Sequence, residues 1–356
     1  FIGNSSLGFL GNAATSVVFP ITIITMAFAW CFGDGTAAFL SLCQGRKDTK
    51  DVHISVGNSL VASLIVSIIL MIICFLFMDN LLYLFGASDS SIDLARDYFR
   101  ILLYAFPFYM LGNTLNPVIR ADGSPKFSSA VTFAGAITNI ILDPVFIFGF
   151  DMGIKGAAIA TIIGQILTFI ISIFYLKKSK QFKVNKESIK LDKGICFKAV
   201  SLGLASLITQ LAIVVIIAVA NNLVGKYGYM TMASTGVPYG AVIPLAVIGI
   251  CMKVFGIVVS IVIGVSLGGM PIIGYNMGAG NTSRVKETVK YILITNLIIG
   301  FIAFIIFELF PGFIINIFGS GNGTEYMEFA DYCLRIFLGG IVLTCLIKSM
   351  SILLQS

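Results

Sequence analysis

Charge is scarce in this chain: Asp, Glu, Lys and Arg make up 11% of its 356 residues, less than half the share usual in soluble domains. Histidine occurs once, as His53, beside a charged loop at a helix start. One solvated histidine excludes a histidine metal site or catalytic dyad. No HExxH segment and no nucleophile beside a base is found, so a membrane-embedded enzyme lacks its chemistry. The seven cysteines (Cys31, Cys43, Cys74, Cys196, Cys251, Cys333, Cys345) form no CxxC pair, so neither a metal cluster nor a disulfide framework is indicated. Nearly all fall in apolar runs and read as small core residues.

Apolar residues fill the space that charge leaves, at 58% of the chain with a mean hydropathy of +0.99. Apolar stretches recur at 13–44, 53–78, 96–118, 127–149, 156–176, 198–224, 241–275, 288–309 and 332–355, each near the ~20 residues that cross ~30 Å of hydrocarbon. The fold class is therefore an all-α polytopic membrane protein of about nine helices. Lys and Arg divide unevenly between alternate connections. Arg46, Lys47, Lys50, Arg120, Lys126, the run Lys177 to Lys198, Arg284, Lys286 and Lys290 total 16, against five on the other side: Arg96, Arg100, Lys155, Lys226 and Arg335. The richer set is cytoplasmic by the positive-inside bias, and the first helix runs from outside to inside. The net charge of +6 thus records topology and is no nucleic-acid footprint.

The chain also repeats itself. Leu84-Phe85-Gly86 recurs as Ile317-Phe318-Gly319, a shift of 233 that also carries Ala13, Gly35, Gly45, Asp48 and Thr49 onto Ala246, Gly268, Gly278, Asn281 and Thr282. Two inserted residues make the shift 235, which places Ala95 to Arg100 on Ala330 to Arg335. The copies start and end on the same membrane side, so they are parallel repeats. This predicts an N-terminal lobe at 1–176, a basic cytoplasmic linker at 177–197 and a C-terminal lobe at 198–356. On the repeat frame a complete protein would have 6 + 6 helices. The expectation is a fragment lacking the first helix and the last two, and inactive alone.

Five segments, in order on this two-repeat frame, resemble the MATE (multidrug and toxic compound extrusion) family of prokaryotic type. They are Phe1-Ile2-Gly3, Phe19-Pro20, Ile119-Arg120-Ala121-Asp122-Gly123-Ser124-Pro125, Asn139 to Pro144, and Gly153 to Thr161. Met252-Lys253 stands at the second-repeat position of Phe19-Pro20. The resemblance implies two six-helix lobes that open alternately around a central cavity and export organic, often cationic, compounds by antiport with Na+ or H+. It also implies an ion-binding polar cluster in the N-terminal lobe, with Asp143 and its partner Asn139 at the Asn-x-x-x-Asp-Pro motif. A second family carboxylate, on the helix before Phe1-Ile2-Gly3, lies before the start of this sequence.

Reading the residues alone leads to the same place. A carboxylate in an apolar span is costly and marks ion or substrate handling. Asn139 and Asp143 are four apart and share a helix face. The turn to the next span is centred near Met152, so Thr161 comes to the depth of Asp143, roughly 14 Å from the turn. Pro144 donates no hydrogen bond and frees a carbonyl near Ile140. These oxygens suit Na+ or a proton. A carboxyl that holds a proton in the empty site and yields it to a cation would serve both ions, and bending near Pro20 and Pro144 would couple loading to the lobe's state. The alternative is that Asp143, Asn139 and Thr161 are buried interhelical hydrogen bonding.

Candidate substrate-cavity residues are Asp34, Lys253, Lys348, Met252 and Tyr109. Asp34, between Gly33 and Gly35, suits a counter-ion for a cationic compound or an interhelical hydrogen bond, and its counterpart is Leu267. Lys253 and Lys348, the two intramembrane cations, would pair with an acid, snorkel or face the cavity, where they would oppose a purely cationic spectrum. Glu308, beside Pro311, reads as interfacial. Trp30, Tyr104, Phe106, Phe108, Met110 and Tyr239 either line an adaptable cavity or pack and face lipid. The function expected is drug efflux across the cell (inner) membrane by a monomer. Its partners are small organic drug-like substrates, Na+ or H+ and lipid, with no cofactor besides the coupling ion and no nucleic acid. A lipid-linked saccharide flippase of the same broader superfamily is the alternative, but it would call for several cavity Arg or Lys residues.

Overall fold

A computed structural model describes residues 8–87, 91–179, 182–185, 187–227, 242–319 and 324–354. These form helices and short connections, with no strand among the described residues. In hydrocarbon each backbone N–H and C=O must be bonded within its own segment, which long apolar runs achieve as helices. In chain order they are α1 (Gly8–Arg46), α2 (Thr49–Leu76), α3 (Met78–Leu84), α4 (Ile92–Leu103), α5 (Phe106–Ala121), α6 (Pro125–Pro144), α7 (Gly153–Lys178) and α8 (Lys193–Tyr227), then α9 (Val242–Gly278), α10 (Thr282–Leu309), α11 (Pro311–Gly319), α12 (Thr324–Leu338) and α13 (Ile341–Leu353). A π-helical turn, Val145–Gly149, follows α6. Among the described residues, seven helices are long and apolar enough to cross a membrane, or eight if α12 and α13 form one bent span.

Two of the nine expected spans, 96–118 and 332–355, need correction. The segment 96–118 is not a single apolar helix: it divides into α4 and α5. Pro107 has no N–H and its ring crowds the Leu103 carbonyl, so an uninterrupted helix is excluded there. The break is bridged by tight turns, Tyr104 N–H to Ile101 O at 3.3 Å and Ala105 N–H to Leu102 O at 2.9 Å. The second repeat breaks at the same place, with a 41° bend between α12 and α13 across Gly339-Gly340.

The repeat survives in three dimensions. α2 and α10 start and end 233 positions apart, and α5 and α13 start 235 apart. Buried positions coincide as well: Ala14, Val17, Val18 and Ile21 of α1 match Val247, Ile250, Cys251 and Val254 of α9. Ala95, Phe99 and Leu103 of α4 match Ala330, Leu334 and Leu338 of α12. The opposite faces carry large exposed apolar side chains, such as Ile65, Ile68 and Ile72 on α2 and Ile294, Ile298 and Ile305 on α10, as lipid contact requires.

Contacts divide the chain into two compact units. One comprises the chain up to Val214 with Gly274–Asn281; the other comprises Val215–Ile273 with Thr282–Leu354. The boundary by contacts thus falls inside α8. Within the first unit, the last turns of α1 and α9 meet on glycine. A Cβ on Gly45 would strike the Tyr275 carbonyl, and one on Gly278 would strike the Leu42 carbonyl.

The lysine-rich segment between the repeats is packed against this unit. Phe182 is 1% exposed in a core with Leu40, Val52, Val118 and Ile195. Asn58 of α2 holds the chain by donating to the Ser188 carbonyl (3.1 Å) and the Lys190 carbonyl (3.0 Å) and accepting from the Asp192 N–H (2.6 Å). His53 Nδ1 accepts from the Lys183 N–H at 2.9 Å, a helix-end role that agrees with its solvated position in the sequence.

Candidate functional site

Close packing of α6 on α7 builds the site. A Cβ on Gly135 would run into Thr168, and one on Gly164 would lie 2.7 Å from the Gly135 carbonyl. Small residues at that crossing let the two backbones touch. One turn along α6, Asn139 therefore reaches across to α7. Its Nδ2 donates to Asp143 Oδ1 on its own helix and to Thr161 Oγ1 on α7, each at 3.3 Å. The Thr161 hydroxyl donates to the Ala157 carbonyl at 2.9 Å. The structure thus brings together the three residues that spacing had placed together, all of them partly buried.

A fourth residue escaped the sequence. Tyr98 of α4 brings its hydroxyl near Thr161 and lies within electrostatic reach of Asp143. Its signal was faint: it is one aromatic in a charged stretch, in a segment wrongly joined to α5. Lys155 at the start of α7 pairs with Asp97 of α4 at 3.1 Å, which secures the two helices at their ends.

Beyond Asp143 the helix changes form. Pro144 closes α6, and the π-helical turn ends with the Phe150 N–H on the Val145 carbonyl at 3.0 Å. Asp151 follows at φ 52°. A Cβ on Gly156 would lie 2.8 Å from the Phe146 backbone, so the returning helix presses on this turn. Carboxylate, amide, two hydroxyls and a loosened backbone segment thus gather oxygen groups of the kind that hard cations prefer.

Asp34 lies elsewhere, 5% exposed where α1 meets α5 and α8. Ser206 Oγ donates to its Oδ2 at 2.8 Å, and Arg120 Nη2 stands 3.8 Å from its Oδ1. Gly33 lies against the Thr114 carbonyl, and Gly35 and Gly203 let α1 and α8 touch. Of the two roles expected for Asp34, the interhelical contact is the one this geometry contains. Arg120 joined that contact unforeseen because it lies in the last turn of α5, far along the chain from Asp34.

Met252, Tyr109 and Lys348 are partly buried, on α9, α5 and α13. The side chain of Lys253, the residue Tyr239 and the segment Phe1-Ile2-Gly3 lie outside the described residues. Phe106 and Met110 pack in cores, at 3% and 0% exposure, and so are not cavity-lining residues. Glu308 meets Arg335 at 3.5 Å.

The second unit has its own polar interior. Asn296 of α10 donates to Ser349 Oγ (2.6 Å) and Ser266 Oγ (2.9 Å), and its Oδ1 is buried without a partner. The repeat frame maps these three onto Ser63, Thr114 and Gly33. Ser63 and Thr114 share a 3.0 Å hydrogen bond.

Two parallel helical repeats, with polar groups held inside apolar spans, define a polytopic membrane transporter. The MatE family model matches residues 5–145 and 218–356, one stretch in each half. The chain belongs to the MATE family of efflux transporters. It is similar to the multidrug export protein MepA of Staphylococcus haemolyticus, 26% identical over 95% of this chain and 72% of that protein. It is also similar to the probable multidrug resistance protein YoeA of Bacillus subtilis, 28% identical over 90% of this chain and 68% of the other. Among solved structures, a MATE protein in the straight conformation shares the fold, with a TM-score of 0.87 at 22% identity, over 98% of this chain and 75% of that one.

Proposed function

We propose that this protein is a secondary active transporter of the cell (inner) membrane that exports small organic, often cationic, compounds by alternating access, in exchange for Na+ or H+. The observation that carries the reading is the cluster of Asp143, Asn139 and Thr161 with Tyr98. An acid among apolar helices, ringed by oxygen groups from three helices, suits reversible ion loading. The family relatives named for multidrug export support the substrate class. In this reading the lobes are 1–176 and 198–356, joined by 177–197, and the transporter works as a monomer with no cofactor besides its coupling ion. Met252, Tyr109, Lys253 and Lys348 line the substrate path, and Asp34 braces helices.

The test is efflux of a fluorescent organic cation from vesicles under an imposed Na+ or H+ gradient, with the native protein and Asp143→Asn. Coupled export lost in a folded variant supports the reading. Undiminished export in Asp143→Asn makes the cluster structural and refutes it.

A further inference from the structure

Two of the seven cysteines meet in the second unit. Cys251 of α9 is buried in an apolar core with Ala330, Leu334 and Leu338, and Cys333 of α12 packs against that core, near enough for each thiol to act on the other. Each stands nine residues from the start of its helix, Val242 or Thr324, about 14 Å in at helical rise. Both helices run inward from the side that the lysine bias makes external, so the pair sits at one depth in the outer half. Cys251 is 1% exposed, whereas Cys333 is partly exposed, so a small reagent reaches Cys333 first.

The repeat frame gives the pair its meaning. Cys251 occupies the place of Val18 and Cys333 the place of Tyr98. In the first unit Val18 and Tyr98 belong to one core, and the Tyr98 hydroxyl carries α4 to Thr161 beside Asp143. The second unit puts an oxidisable contact between the equivalent helices.

We propose that Cys251 and Cys333 form a modification site, a thiol pair that a peroxide converts reversibly into a disulfide joining α9 to α12. Cys333 Sγ attacks one peroxide oxygen, the O–O bond breaks, and the leaving hydroxide departs as water with the thiol proton. Cys251 Sγ then attacks the resulting sulfenic sulfur. The S–O bond breaks, a second water leaves, and two electrons in all pass from the sulfurs to the peroxide. Two thiols held in one core need no long search for each other, and a dithiol reductant reverses the step by exchange. The consequence for efflux rests on the transport reading above: with α12 fixed to α9, the second repeat loses a movable contact and turnover slows severalfold.

The experiment treats the full chain with hydrogen peroxide and maps its peptides by mass spectrometry. The expected result is a cross-linked peptide joining Cys251 and Cys333, lighter by two hydrogens, released by dithiothreitol and absent from Cys251→Ser and Cys333→Ser. Oxidation of Cys333 to sulfinic or sulfonic acid with Cys251 left as a thiol overturns the proposal. So does survival of both thiols at a dose that oxidises methionines. The mapping needs no transport and therefore stands apart from the efflux assay. There, a severalfold fall reversed by dithiothreitol, and missing in Cys333→Ser, is the expected companion result.

Discussion

The two repeats share element order and buried positions, yet their helices approach one another differently. In the first, glycine brings backbone onto backbone: Gly33 of α1 lies against the Thr114 carbonyl of α5, and Gly135 of α6 touches Gly164 of α7. In the second, the position of Gly33 holds Ser266, whose hydroxyl accepts from Asn296 at 2.9 Å. One repeat position thus carries a bare backbone contact in one copy and a hydrogen-bonding side chain in the other. The interior polarity differs as well, for Asn296 with two serines replaces the Ser63–Thr114 pair. Helical pattern and packing intimacy are thus separable properties. A repeated sequence reproduces the first, while the size of the facing residues decides the second.

Four tests would break or sharpen this comparison. The largest contrast is expected from Gly33→Ala and Ser266→Ala, one repeat position in its two copies. The first forces a methyl against the Thr114 carbonyl and should destabilise by about 2 kcal/mol or more, seen as a lower Tm and poor yield of folded protein. The second removes one acceptor of Asn296 and should cost about 1 kcal/mol. Next, Tyr98→Phe removes a hydroxyl for which the second repeat has only a thiol. It should weaken coupling-ion affinity about tenfold, or ~1.4 kcal/mol, read by the Na+ or H+ concentration giving half-maximal efflux.

Third, Asn296→Ala empties a fully buried site of its central donor and should cost about 2 kcal/mol, against about 1 kcal/mol for Ser63→Ala. Equal Tm losses would make the two polar interiors equivalent. The smallest effect concerns pH. The Arg96 guanidinium donates to Asp79 Oδ1 at 2.9 Å and holds that carboxyl below the usual carboxylate range. Because the folded value is depressed, its stabilisation is complete above the unfolded value near ~4 and is lost as pH falls through the folded one. Asp79→Asn should slightly flatten the acid limb of stability. Both groups are partly exposed, so solvent screens most of the effect.

Sequence pattern reached far here because a bilayer allows few solutions. Long apolar runs must be helices, and a four-residue spacing with a symmetric hairpin was enough to bring Asn139, Asp143 and Thr161 together. Tyr98 was out of reach because its partner Thr161 lies three helices on. The break at Pro107 was misjudged because hydropathy averages over a proline that hydrogen bonding cannot ignore. Arg120 and Ser206 around Asp34 were missed for the reason that long-range pairs usually are: periodicity describes each helix alone. The lysine-rich connection read as a topological marker, yet the burial of Phe182 and the bonds from Asn58 make it a packed part of the first unit.

The meeting of Gly45 with Tyr275 and of Gly278 with Leu42 has a further consequence. Gly278 is the repeat copy of Gly45, and Tyr275 is the copy of Leu42, so the contact is the same patch facing itself, as in a two-fold symmetric dimer. In such a dimer every substitution appears on both sides at once. Joined in a single chain, the two sides are encoded separately. Leucine and tyrosine already differ across the seam, while glycine stands at both crossing points because each faces a carbonyl with no room for a methyl. At these two crossing points the copies stay alike for a local reason, since a side chain on either glycine would enter a carbonyl of the facing helix.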